Sequence, residues 1–504
     1  MATDMVHQRA AAPTVLVFLF VDKMTNASSL MVADEVKRKN YSHSCAATLA
    51  LGSLNIAYDT DKYGSGTLQV GSILYKIHSN LTMSGGIECG VIYDDTDTHI
   101  DCLAQLPAGS ELAELAAHAP KSCFEDHQNR SGPQLLRETT DALAALQDLQ
   151  SQVEAALDIP KNLTELQPAA DTARGLCTLA NVGIRRDWDS LSAQERKEYI
   201  AAVKCLWQQP SIDPTFSAAR NHFDDYVAVH MNQTNTVHGT ANFLTWHRYL
   251  IWLWEQRLRN TCDYKGYLPY WNWFRFQDDL NKSPIFDGSD TSLGGDGEYF
   301  PHNGSLVGAG RIWLPSGAGG GCVKSGPFVN FTINIGPVQP AMQGYTPVYT
   351  DVKAYNPRCQ RRDLTMAAST STFTTSNLLN ITVGPASQSI GHFQDELQGP
   401  YGTLRLHGAG HYAMGGDGSD VFTSLNDPAF YLHHAMIDRV YWIWQVLHPV
   451  EANTVNGTIT FRNNPPSRNG TVEDYLEIGN LGPAVQIKDV LNTMGGSPLC
   501  YIYL

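Results

Sequence analysis

The 504-residue chain has no tryptophan in its first 187 positions, although ten follow from Trp188 onward. It has no run of about 18 apolar residues, the length a membrane-spanning helix needs, so no span is expected. Positive charge is scarce: 35 Lys and Arg stand against 50 Asp and Glu, a formal net charge of −15. A surface of that sign repels phosphate backbones, which excludes nucleic-acid binding through a basic face. Only 17% of residues are charged while 43% are hydrophobic, which excludes wholesale disorder.

The same deficits locate a boundary. Residues 1–170 hold 11 Lys/Arg and 21 Asp/Glu, net −10, and the rest hold 24 and 29, net −5. Cysteine divides into four (Cys45, Cys89, Cys102, Cys123) and six (Cys177, Cys205, Cys262, Cys322, Cys359, Cys500). Twelve Asn-x-Ser/Thr sequons run from Asn26 to Asn469, where chance gives about four. The chain therefore reads as secreted and its cysteines as mostly oxidised. Ala10 to Val21 is an apolar stretch behind Arg9, sized like a signal-peptide core, and makes 1–25 a candidate signal segment.

Thr67–Ile77 and Gly86–Tyr93 are expected as short strands. Leu136, Leu143, Leu146, Leu149, Val153 and Leu157 are spaced by threes and fours, which predicts an amphipathic helix over 134–158 that Pro160 ends. Residues 26–165 thus read as a small α+β module of unknown role, and 161–175 as a linker. Residues 170–504 read as a mainly α domain, helical over Phe223–Met231, Ala241–Asn260 and Ala429–Leu447. The Gly- and Pro-rich stretch Val307–Phe328 is expected as loop.

Two groups of histidines stand out. His230, His238 and His247 are spaced H-x7-H-x8-H, and His407, His411 and His434 are spaced H-x3-H-x22-H. His407 and His411 lie at i and i+4, on one helical face. His247 sits in an apolar helical stretch, where an imidazole without a partner is costly. The Glu of a zinc-protease H-E-x-x-H is missing, because positions 408–410 are Gly, Ala and Gly. Two all-imidazole triads suit copper, zinc or another imidazole-friendly metal, and a facing pair can bind one small molecule between the ions.

Around the second triad, Asp427-Pro-x-Phe430, His433-His434 and Asp438-Arg439 form a pattern that resembles the second copper-site signature of the tyrosinase, catechol oxidase and haemocyanin family. Arg185-Arg186-Asp-Trp, Phe243-Leu-Thr-Trp-His-Arg-Tyr, Pro269-Tyr-Trp-Asn-Trp, Asn356-Pro-Arg-Cys and the final Tyr501-Ile-Tyr extend the resemblance over nearly all of 177–504. It is similar to the short fungal catechol oxidases. The resemblance implies a four-helix bundle holding two copper ions with O2 as co-substrate, and small phenols as partners. Adjacent helical residues point about 100° apart, so His433 and His434 cannot serve one ion. The resemblance assigns the ligand to His434 and a supporting place to His433, with Asp438 and Arg439 fixing imidazole tautomers and bracing the bundle. Cys322 with Cys359 and Cys177 with Cys500 are candidate disulfides, with pairing otherwise open.

Departures from the family bear on substrate. Thr236 stands where many relatives carry a thioether-forming Cys. Gly408 stands where some have Asn, and Gln398 where the same relatives have a Glu proposed to hold a phenol-deprotonating water. Glutamine cannot act as a carboxylate base. Val421 replaces the Phe that plant catechol oxidases place over the first copper, leaving that copper open, with Tyr412 beside it at the mouth. The expected activity is o-diphenol oxidation to o-quinones, with weak monophenol hydroxylation. The alternatives are a full tyrosinase and a haemocyanin-like O2 carrier.

Overall fold

A computed structural model describes strands within residues 66–104, a helical segment over 132–159 with its side chains from Ala142, and residues 177–504 apart from 214–215, 308–311, 349 and 400–402. The candidate signal segment, the linker and the pairing of the first four cysteines lie outside the described residues. The chain forms two units, Met1–Pro133 and Gln134–Leu504.

In the first unit, Gly66–Val70 and Ile73–Ile77 pair as an antiparallel hairpin. The expected strand over Thr67–Ile77 is thus two paired strands. Thr82–Met83, Ile87–Tyr93 and Thr98–Ala104 form a three-stranded antiparallel sheet.

Helix α1 (Gly132–Ala156) was expected with the N-terminal module, but from Gln134 it belongs to the second unit. Its Ala142, Leu146, Leu149 and Val153 are buried in the same core as the domain's tryptophans, each larger side chain worth about 1.5–3 kcal/mol relative to exposure. Gln150 completes the attachment: its amide donates to the Tyr503 carbonyl at 3.0 Å and its Oε1 accepts from Arg439 at 2.9 Å. An apolar stripe without a core of its own packs on whichever core is available.

The second unit continues through α2 (Ala193–Gln208), α3 (His222–Val237), α4 (Phe243–Cys262), α5 (Met366–Thr372), α6 (Thr375–Thr382), α7 (Ile390–Gln398), α8 (Leu406–Met414) and α9 (Ala429–Leu447). Their starts are written in the sequence. Ser192 with Glu195 and Asn221 with Asp224 form capping boxes on α2 and α3, and Ser389 caps α7. Six tryptophans, Trp188, Trp246, Trp254, Trp271, Trp273 and Trp444, are almost wholly buried. The core is therefore aromatic, and Trp254 stacks on Tyr431 at 3.6 Å between α4 and α9.

The unit's two ends meet. Tyr501–Tyr503 pairs in parallel with Gly183–Arg185, and Cys177 is bonded to Cys500 beside them. Cys322–Cys359 also forms, and Cys205–Cys262 ties α2 to the end of α4. The stretch expected as loop holds two short strands. Ile312–Leu314 pairs with Ser305–Val307, and Gly320–Val323 with Gly297–Tyr299. Glycine allows the second pairing, because a Cβ on Gly297 would lie 2.2 Å from the Arg362 carbonyl oxygen.

Candidate metal centre

Helices α3, α4, α8 and α9 carry five of the six triad histidines, and His238 caps the end of α3. Ring nitrogens of His230, His238 and His247 lie within 4.8 Å of one another, as do those of His407, His411 and His434. The triads face each other: the His247 and His434 rings stack at 4.5 Å, and those of His238 and His407 at 5.9 Å.

Main-chain carbonyls set the tautomers. The Nδ1 atoms of His230, His238, His247 and His411 lie 2.8–3.0 Å from the carbonyls of Phe422, Thr234, Phe243 and Gly418. A carbonyl only accepts, so the proton sits on Nδ1 and the Nε2 lone pair is bare. The buried Nε2 atoms of His230 and His247 have no hydrogen-bond partner. In the other triad, the Nε2 of His411 lies 3.2 Å from those of both His407 and His434. With the His411 proton committed to Gly418, its Nε2 offers one lone pair to two neighbouring imidazole nitrogens, and a cation between the three would satisfy all of them. Burial lowers all six basicities, His238 to about 4 and His411 to about 3, which keeps the rings neutral as ligands require.

His433 is engaged at both nitrogens. Trp273 donates to its Nδ1 at 3.0 Å, so its Nε2 donates to the His407 carbonyl at 2.9 Å. It therefore steadies a ligand's backbone. Gly410 makes room for it, since a Cβ there would lie 2.1 Å from the imidazole. Asp438 and Arg439 brace the fold, and the tautomers are set by the carbonyls instead. Asp438 on α9 accepts from Arg248 on α4 at 2.5 Å and from Tyr501 and Tyr503 at 2.6 Å each. Arg439 reaches Gln150 and lies over the Tyr270 ring.

His407 and His411 are the triad residues that are not fully buried. Gln398 accepts from the Gly239 N–H at 2.8 Å, next to His238. A Cβ on Gly408 would meet only Leu404 and Tyr412 at 3.5 Å and beyond, ordinary contact distances. Burial raises the Tyr412 phenol to about 12. Val421 is 39% exposed and precedes Phe422, the residue holding His230.

Sequence reasoning missed Trp273, Phe430, which stacks on His434 at 4.1 Å, and the carbonyls of Phe422 and Gly418. The Trp-Asn-Trp motif pointed to Trp273 without a role. Nothing in a sequence marks a carbonyl that becomes a partner only through folding.

Four helices holding two facing triads of neutral imidazoles define a dinuclear metalloprotein. The family described as the common central domain of tyrosinase matches residues 220–447. Tyrosinase P of Aspergillus terreus is 36% identical over 358 residues, spanning 68% of this chain and 99% of that protein. N-acetyl-6-hydroxytryptophan oxidase of Emericella nidulans is 36% identical over 65% of this chain and 93% of its own length. A polyphenol oxidase variant from Thermothelomyces thermophila superimposes with a TM-score of 0.62 at 36% identity, covering 73% of this chain and 97% of that one. The chain belongs to the tyrosinase family, and the two triads are its sites for two copper ions. Bound there, the copper pair supplies electron exchange with O2.

Proposed function

We propose that this copper oxidase is secreted and acts mainly on o-diphenols, oxidising catechols to o-quinones with O2 as the electron acceptor and hydroxylating monophenols only weakly. Each catechol gives up two electrons and two protons, so one O2 serves two catechols and leaves as water. A catechol reaches the half-buried His407 and His411 past Gly408 and Tyr412. The relatives named as tyrosinase and as an oxidase of a hydroxylated indole support phenolic substrates. Twelve sequons and the three disulfides among the described residues support secretion.

The observation that carries the diphenol preference is Gln398. Its Oε1 is committed to the Gly239 N–H, and an amide cannot take a proton from a phenol. Gly408 offers no side chain to hold a water. A full tyrosinase is the second reading, favoured by the small, exposed Val421, which leaves the mouth open to a monophenol.

The double variant Gln398→Glu, Gly408→Asn tests this. A carboxylate preserves the acceptor for Gly239, and the space beside Gly408 admits a side chain. Adding a base is expected to raise the ratio of monophenol to diphenol turnover at least about tenfold. An unchanged ratio, with wild-type protein already hydroxylating monophenols as fast as it oxidises diphenols, overturns the proposal.

A further inference from the structure

Asp420 lies in the loop between α8 and α9 and is wholly buried. Among the described residues its carboxylate has four main-chain N–H partners and no ion pair. Oδ2 accepts from Val338 at 2.6 Å and Gln339 at 2.8 Å, and Oδ1 from Phe422 at 2.9 Å and Thr423 at 3.3 Å. Asp417, equally buried, is instead paired with Arg358 at 2.7 Å. A buried charge without a counter-charge is costly, so its retention calls for a reason. Burial raises the Asp420 pKa and the N–H bonds oppose that rise. Each oxygen already accepts two N–H groups, which leaves a carboxylic proton no acceptor and holds the group as the anion.

That charge is one peptide group away from a triad histidine. The Thr423 N–H is shared between the Asp420 carboxylate and the Asp420 main-chain carbonyl, the latter at 3.1 Å. The oxygen of the same peptide unit is the Phe422 carbonyl that accepts from His230 Nδ1 at 2.9 Å. Carboxylate, peptide and imidazole thus form one chain of hydrogen bonds, and such bonds polarise one another. The packing is close: a Cβ on Gly336, whose φ is 76°, would lie 2.8 Å from Thr423 Oγ1. Glycine there lets the segment carrying Val338 and Gln339 come against the loop. The second triad has no such charge behind its carbonyl. The peptide of Gly418, which holds His411, gives its Ser419 N–H to the neutral Gly415 carbonyl at 3.2 Å.

We propose that Asp420 is a positioning residue for the first triad, fixing the Phe422 carbonyl and, through that polarised peptide, making His230 a stronger donor to its metal. A histidine ligand whose other nitrogen is bonded to a carboxylate gains basicity, and here a peptide group relays the effect. More electron density at Nε2 favours the more highly charged metal ion. Asp420 therefore tightens copper binding at the first triad and lowers the reduction potential there. This rests on the copper pair and is independent of which phenol is oxidised.

The proton on His230 Nδ1 reports the relay. Zinc suits the same imidazoles and is diamagnetic, so zinc-loaded protein allows the imidazole N–H resonances to be read by NMR. His238 is the internal reference, because its Thr234 carbonyl lies at the same 2.9 Å. In wild type the His230 proton is expected further downfield than that of His238. Asp420→Asn is expected to move it upfield and leave His238 in place. In the copper-loaded variant the first triad should lose its ion to a chelator about tenfold more readily, with the second spared, and the reduction potential should rise. A His230 proton no further downfield than that of His238 overturns the proposal on wild-type protein alone, whether or not the variant folds. A variant that loses copper affinity while the His230 resonance stays in place shows a brace without a relay and also overturns it.

Discussion

The two triads are built differently. In the first, His230, His238 and His247 are all buried and all have Nδ1 held by a carbonyl, two of them by the residue four positions earlier. In the second, only His411 has such a carbonyl, His407 is steadied through its backbone by His433, and His434 is positioned by stacking on Phe430. In the first site two of the three ligands are set within their own chain segment and only His230 relies on a distant carbonyl, that of Phe422. The second depends more on long-range packing, and two of its residues are partly exposed. The more exposed site is thus the one that relies more on residues distant in sequence.

The sharpest way to break this comparison is to remove one ligand. His434→Ala and His230→Ala are each expected to reduce bound copper from two ions to one per chain and abolish catechol oxidation, read by metal analysis and oxygen uptake. Retained turnover would show that the triads do not act as a pair. Next is the brace the two sites share. Asp438 is buried and joins α9 to α4 through Arg248, so Asp438→Ala strands a buried guanidinium and should cost about 3–5 kcal/mol. Denaturant unfolding measures it, and loss of copper from both triads together distinguishes it from a local effect.

A smaller change should separate the sites. His433→Ala or Trp273→Phe removes support from the second triad, chiefly from the His407 backbone. Copper affinity of the second triad should fall about 10- to 100-fold while the first is spared, as competition with a chelator would show. The smallest effect is pH. In metal-free protein burial holds the His238 basicity near 4, below the ordinary imidazole value of about 6.5. The unfolded chain then takes up the proton that the folded chain refuses. That stability is full above about 6.5 and declines as pH falls toward 4, by about 1.4 kcal/mol per unit for each such group. Metal-free melting temperatures across this window check the sign, and copper-loaded protein should resist the decline.

Local and periodic features of the fold were legible in the sequence. Periodicity marked the helices of His247 and His434 to within two residues and the start of the His230 helix, which runs six residues past the expected Met231; around His407 only the i, i+4 pair signalled a helix, without bounds, and the two triads each converge. Long-range partners were not legible. The helix carrying Leu146 and Leu149 showed its apolar stripe but not which core would receive it. Cys205 and Cys262 gave no sign of pairing with each other, because the proximity of α2 and α4 is a property of packing. The same holds for Asp438: its burial could be anticipated, whereas its choice of Arg248 and two terminal tyrosines over an imidazole could not. Gly410 could have been noticed, since a glycine inside a ligand helix weakens it and so implies a neighbour at close range.

The most direct test is oxygen uptake by the copper-loaded protein with 4-methylcatechol and, separately, 4-methylphenol. One O2 consumed for every two catechols, with o-quinone formed and little uptake with the phenol, is the expected result. Uptake with neither substrate, or equal rates with both and no lag, would contradict a dicopper diphenol oxidase.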